Sequence, residues 1–188
     1  MFATMSTQHL EAAIASTRGV LSGVSADQMG NDTPCASWDV SALINHIVGA
    51  QHFFIAGIKG EPPSEAPDFA AGDYMASFDA ASAELVAAFG AEGALDKMYK
   101  LPFGEMPGNA FMGLAMTDTF QHGWDLAKAT GQSTDLAPQL AVGLLAQSKQ
   151  AIQDSFRGPE GAPFGSQQSC PDGSSTADEL AAFLGRAV

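Results

Sequence analysis

Apolar residues recur along this chain at steps of three and four, the spacing that puts them on one face of a helix. In 6–22 the stripe is Leu10, Ala13, Ile14, Thr17 and Leu21, and Gly23 supplies a stop. The stretch 24–37 reads as a loop, with Asn31-Asp32-Thr33-Pro34 as turn chemistry. Ser37 is the expected cap of a second helix, opened by Trp38-Asp39, running to about residue 58 and carrying Leu43, Ile47, Ala50 and Phe54 inward. After the Pro/Gly-rich loop 59–67, a third helix is expected over 74–89, with Phe78, Ala81, Leu85, Val86 and Phe89 on its buried face. The segment 97–108 has room for a short extended piece, but its prolines and glycines exclude a long strand. A helix over 109–130 ends at Gly131, and another over 138–156 starts at Pro138. The stretch 157–175 reads as a long loop. Thr176-Ala177-Asp178-Glu179 has the form of a capping box ahead of a short helix ending near Leu184. No repeat and no break in composition divides the chain, so 1–188 is expected to be one domain. The expected fold is all-α: an up-and-down four-helix bundle with a long crossover connection and a short C-terminal helix.

Within 109–130 the sequence Thr117-Asp118-Thr119-Phe120-Gln121-His122-Gly123-Trp124-Asp125 carries the chemistry. Asp118 and His122 stand one helical turn apart on the same face, where a carboxylate and an imidazole can share a divalent cation. Such a pair is by itself more often an ion pair. Here the surrounding Phe111, Met112, Leu114, Ala115, Met116, Phe120, Trp124 and Leu126 make the helix apolar nearly all round. A carboxylate buried there is costly unless it is paired or metal-bound. The third metal ligand must come from elsewhere, and His46, flanked by apolar residues in the second helix, is the best candidate. Asp125 is the candidate catalytic residue, either a further ligand or an acceptor that orients His122. His52 should point away from His46, and His9 reads as a solvated surface residue. Trp38 and Trp124 are expected to face the core along their helices.

Composition removes several function classes. The 188 residues include only eight Lys plus Arg, and the formal charge is −13. That excludes a basic stripe, so nucleic acid and anionic membrane are not expected partners. The start, Met-Phe-Ala-Thr-Met-Ser-Thr, lacks the features of a signal peptide, and no apolar run approaches the ~20 residues of a membrane span. The two cysteines, Cys35 and Cys170, lie far apart and make no disulfide framework or zinc ribbon, which fits a cytoplasmic protein. Cys35 reads first as an ordinary thiol. No phosphate-binding loop and no serine nucleophile motif appears.

Three motifs, in order, resemble the DinB-like group, and within it the actinobacterial branch containing mycothiol-dependent maleylpyruvate isomerase. They are Thr33-Pro34-Cys35-Ala36-Ser37-Trp38-Asp39-Val40 leading into Leu43-Ile44-Asn45-His46; Asp118-x-x-x-His122-Gly123-Trp124-Asp125; and Pro163-Phe164-Gly165 followed by Leu180-Ala181-Ala182-Phe183-Leu184-Gly185-Arg186. The resemblance implies a helical bundle holding a divalent metal, zinc or nickel, on three side chains, which here are His46, Asp118 and His122. The isomerase has Glu where this chain has Asp118. The resemblance also implies a low-molecular-weight thiol, mycothiol, as co-substrate of an isomerase or S-transferase acting on a small molecule. The isomerase carries a further C-terminal domain that this chain is expected to lack. A non-catalytic metal- or small-molecule-binding module and a metal-assisted hydrolase are the other readings, and a homodimer is left open. The chain has only three arginines, Arg18, Arg157 and Arg186, few for recognising an anionic diacid.

Overall fold

The computed structural model describes residues 6–159 and 164–188. The first residues of the chain start and Pro163 of the third motif therefore lie outside the described residues. Among the described residues six α-helices follow the apolar stripes: α1 (Thr7–Ser22), α2 (Val40–Lys59), α3 (Tyr74–Gly90), α4 (Gly108–Ala129), α5 (Pro138–Ala151) and α6 (Thr176–Phe183). The fold is mostly helical but not all-α. Strands β1 (Met98–Leu101) and β2 (Gly104–Pro107) form an antiparallel hairpin, with Leu101 opposite Gly104. The extended piece is two short strands because Pro102 and Phe103 form the turn and Gly104 takes a positive φ of 136°. Alternate residues Tyr99 and Leu101 turn into the core, which holds the hairpin on α2 and α4.

Helix α1 packs against α4, α4 against α2, α2 against α3, and α3 against α1. Helices α5 and α6 pack on each other and on α4. Helix α4 is therefore surrounded, which is why it is apolar nearly all round; Phe111, Met112, Ala115, Met116, Phe120 and Trp124 are all fully buried. Helix α2 is long and apolar enough, by length and composition, to cross a bilayer. In this fold it instead buries Leu43, Ile44, Ile47 and Val48 in the core.

Two buried polar contacts fix how the helices meet. Thr17 Oγ1 donates to the Thr119 carbonyl at 2.7 Å, and Gln51 Nε2 donates to Thr119 Oγ1 at 3.0 Å. The first depends on Gly123, where any Cβ would run into Thr17. The second sets α2 against α4 with His46 opposite the Asp118–His122 turn.

Several helix ends differ from the sequence expectation. Asp39, not Ser37, caps α2, its carboxylate accepting from the Ala42 backbone N–H at 2.8 Å. Trp38 thus precedes the helix and does not sit on its core face. Ser175, one residue before the expected Thr176, caps α6 and pairs with Asp178 in the capping box. Helix α5 stops at Ala151, and a separate 3-10 turn (Asp154–Phe156) follows it. His9 is half-buried and local: its Nδ1 accepts from the Ser6 backbone N–H at 3.1 Å, completing the start of α1.

Candidate metal centre

Between α2 and α4 the structure brings His46, Asp118 and His122 together, one ligand atom from each lying within 4.8 Å of the others. Asp118 Oδ1 is 3.5 Å from His46 Nε2 and 3.6 Å from His122 Nε2, long for hydrogen bonds. The two imidazoles meet edge to face, with centroids 4.4 Å apart. His46 Nε2 and Asp118 Oδ2 are shielded from solvent and have no hydrogen-bond partner. Two imidazole nitrogens and one carboxylate converge, with His46 Nε2 and the second carboxylate oxygen unsatisfied, and form a donor set that fits a divalent metal. Trp38 walls the cluster, its ring 4.5 Å from that of His46 and 5.7 Å from that of His122. It does so because the helix cap falls one residue after it.

Asp125 is the fully buried acid of the group, whereas Asp118 stands at the open side with its side chain 23% exposed. Asp125 lies behind His122, with Oδ2 at 3.0 Å from His122 Nδ1. That leaves Nε2 of the same ring toward Asp118, the arrangement by which an outer carboxylate orients a metal-binding histidine. Gln121 Nε2 donates to Asp125 Oδ1 at 3.2 Å. Arg186 grips the carboxylate from the far end of the chain, Nε to Oδ1 at 2.9 Å and Nη2 to Oδ2 at 3.1 Å. Cys35 Sγ is 3.3 Å from Asp125 Oδ2, 3.6 Å from Arg186 Nη2 and 3.9 Å from His122 Nδ1. Neither Cys35 nor Arg186 stands out as a site residue in the sequence. Cys35 reads there as an ordinary thiol, and only the long-range packing joins it to residues 122–125.

These contacts govern protonation. Burial disfavours a charged His122, yet the hydrogen bond it donates to Asp125, the contact with Cys35 and the field of Asp118 outweigh it, raising the imidazole to about 10. Burial also pushes the Asp125 carboxyl up, but the bond to His122 and the Arg186 guanidinium leave it below the usual carboxylate range. Asp118 is likewise held low, against its burial, by contact with His46 and the charge of His122.

His52 stands apart, stacked on Phe69 with centroids 5.5 Å apart. With Gly49, Phe53, Pro63, Ala66 and Phe69 it lines a cavity of about 260 Å³. Gly49 and Phe53 follow His46 by three and seven residues, so the cavity begins one turn along the His46 face of α2. Trp124 is fully buried in the core and donates Nε1–H to Asp178 Oδ1 at 2.8 Å.

The fold and cluster define a helical protein with a His–carboxylate–His centre buttressed by a buried acid. Residues 10–127, more than half of the chain, match the mycothiol maleylpyruvate isomerase N-terminal domain, and the chain belongs to that family. It is also similar to the uncharacterized proteins Rv0738 and MT0763 of Mycobacterium tuberculosis, strains H37Rv and CDC 1551. Each is 46% identical over 171 residues, covering 90% of this chain and 91% of the relative. No solved structure matches the chain.

Proposed function

We propose that this chain is a divalent-metal enzyme that uses a low-molecular-weight thiol, mycothiol first among them, as an isomerase or S-transferase of a small organic molecule. Helices α1 to α4 are read as the DinB-like four-helix bundle, and His46, Asp118 and His122 as the metal ligands. The observation that carries this reading is the convergence of His46, Asp118 and His122, in which His46 Nε2 and Asp118 Oδ2 are buried without a hydrogen-bond partner. Three protein ligands leave coordination positions open, which marks a catalytic rather than a structural centre. A metal held there would lower the pKa of a thiol or water and polarise an electrophile beside it. The protein's part is to hold the donor set: Asp125 keeps the His122 ring in place, and Trp38 shields one side of the cluster from water.

The cavity lined by Gly49 and Phe53, which begins one turn along α2 from His46, gives the organic part of a substrate a mostly apolar wall. Each arginine is already engaged: Arg18 with Asp79, Arg157 with the carbonyls of Gly165 and Phe183, and Arg186 with Asp125. Among the described residues no free guanidinium remains to grip a dicarboxylate, which favours a substrate less anionic than the one in the family's name.

Elemental analysis of the purified protein tests the metal. About one equivalent of zinc or nickel per chain is expected, falling to background in His46→Ala and His122→Ala. Turnover of a panel of neutral electrophiles with and without mycothiol tests the thiol. Turnover that requires mycothiol supports the proposal. Hydrolysis without thiol makes the protein a metal-assisted hydrolase, and stoichiometric metal with no turnover leaves a binding module.

A further inference from the structure

The family match ends at residue 127, yet the carboxylate behind His122 is held from residue 186. We propose that Arg186 is a positioning residue of the metal centre, acting through Asp125 to fix the ring of His122. The inference rests on the metal reading for its consequence, but not for its geometry. A fully buried carboxylate is tolerated only when its lone pairs are met. Asp125 meets Nε and Nη2 of Arg186, Nε2 of Gln121, Nδ1 of His122 and the thiol of Cys35. The two-pronged Arg186 contact fixes the plane of the carboxylate, which a single-point donor would leave free to turn. That plane sets where the Nδ1–H of His122 is accepted, and hence that Nε2 faces Asp118.

The chain is built to deliver this arginine. Trp124, the residue before Asp125, holds α6 through Asp178. Just past α6, Gly185 takes a left-handed φ of 101°, and the Arg186 backbone N–H closes on the Ala181 carbonyl at 2.9 Å. This reversal turns the chain back toward α4. Gly185 also lies against Gly165, so closely that a Cβ would come within 2.7 Å of the Gly165 Cα. An alanine at 185 is therefore strained twice over, and it would misdirect Arg186 without removing it.

The test compares Arg186→Gln, Arg186→Lys and Gly185→Ala with wild type. Zinc affinity is read by competition with a chelating dye at fixed pH. The His122 ring is read by NMR of histidine-labelled protein. Loss of an outer partner of a metal-binding histidine weakens metal binding by roughly 10–100-fold. Arg186→Gln leaves that partner, Asp125, in place but unfixed, so a loss toward the lower end, about 10-fold, is expected, with Arg186→Lys in between because it keeps the charge but not the fork. Gly185→Ala should also fall below wild type. The zinc-loaded His122 Nδ1–H signal should broaden or shift in each variant, while backbone signals of α4 stay in place. A merely structural arginine would lower the melting temperature without moving that ring signal. Wild-type affinity with an unmoved ring signal in Arg186→Gln overturns the proposal. If that variant does not fold, the same result in both Arg186→Lys and Gly185→Ala overturns it. If wild type takes up no zinc, the metal reading fails, and the positioning claim is judged on the metal-free His122 ring. An unchanged ring signal in Arg186→Lys then sinks it too.

Discussion

At the scale of single residues, His122 is the most informative group because it carries two environments on one ring. Its Nδ1 faces Asp125 and its Nε2 faces Asp118. In the metal-free protein the ring is held protonated, with its pKa raised to about 10 from 6.5. A raised folded value means the ion pairs stabilise the fold fully below about pH 6.5, and that contribution is lost as pH rises through about 10. Urea denaturation across this range should show wild type losing stability relative to His122→Gln as pH rises. A parallel pH dependence in the two proteins would refute the assignment. A metal needs the unprotonated ring, so zinc affinity should also rise with pH over the same window. Asp125 has the opposite sign: its lowered pKa gives stability that is present above the ordinary carboxylate range and lost on acidification. The Asp118–His122 spacing and the suitability of His46 could be read from residue types alone. The roles of Cys35 and Arg186 could not, since a thiol or guanidinium gains meaning here only from a carboxylate far away in sequence.

At the scale of elements, the helices follow from their apolar spacing, and their ends depend on local hydrogen bonds that spacing does not specify. Ser37 and Asp39 are both good caps, and the choice of Asp39 decides that Trp38 stands beside His46. Asp39→Ala should destabilise the protein by about 1 kcal/mol and disturb the Trp38 fluorescence response to metal, while Ser37→Ala should leave the cap intact. Equal effects would show that the cap lies elsewhere. The close approach of α1 and α4 at Gly123 depends on the absence of a side chain. Gly123→Ala should therefore force these helices apart, destabilising by roughly 1–3 kcal/mol as an overpacked contact. It should weaken metal binding as well, because Gly123 directly follows His122, one of the proposed ligands. Wild-type stability in thermal melts of that variant would contradict the packing described here.

At the scale of the whole molecule, the centre joins residues from three distant parts of the chain: Cys35 to His46, Asp118 to Asp125, and Arg186. A metal that binds only the folded state stabilises it by mass action, about 2.7 kcal/mol at one hundred times its dissociation constant. For a chain of this length that corresponds to a rise in Tm of roughly 5–10 °C. Zinc should raise the wild-type Tm by this amount, chelation should reverse it, and His46→Ala should abolish it. No shift in wild type would remove the metal from the proposed function.

Helix positions, the Asp118–His122 turn and the family could be recognised without coordinates because they depend on local order: a 3.6-residue period, a four-residue step and contiguous motifs. Asp125, three residues past His122 on the same helix, and His46 were legible as candidates too; that His46 meets the turn, and that Cys35 and Arg186 reach Asp125, was decided by how the rest of the chain packs around α4. Burial makes this so. A charged group can enter the interior only where another part of the chain arrives to satisfy it, and no local pattern in the residues records which part that is.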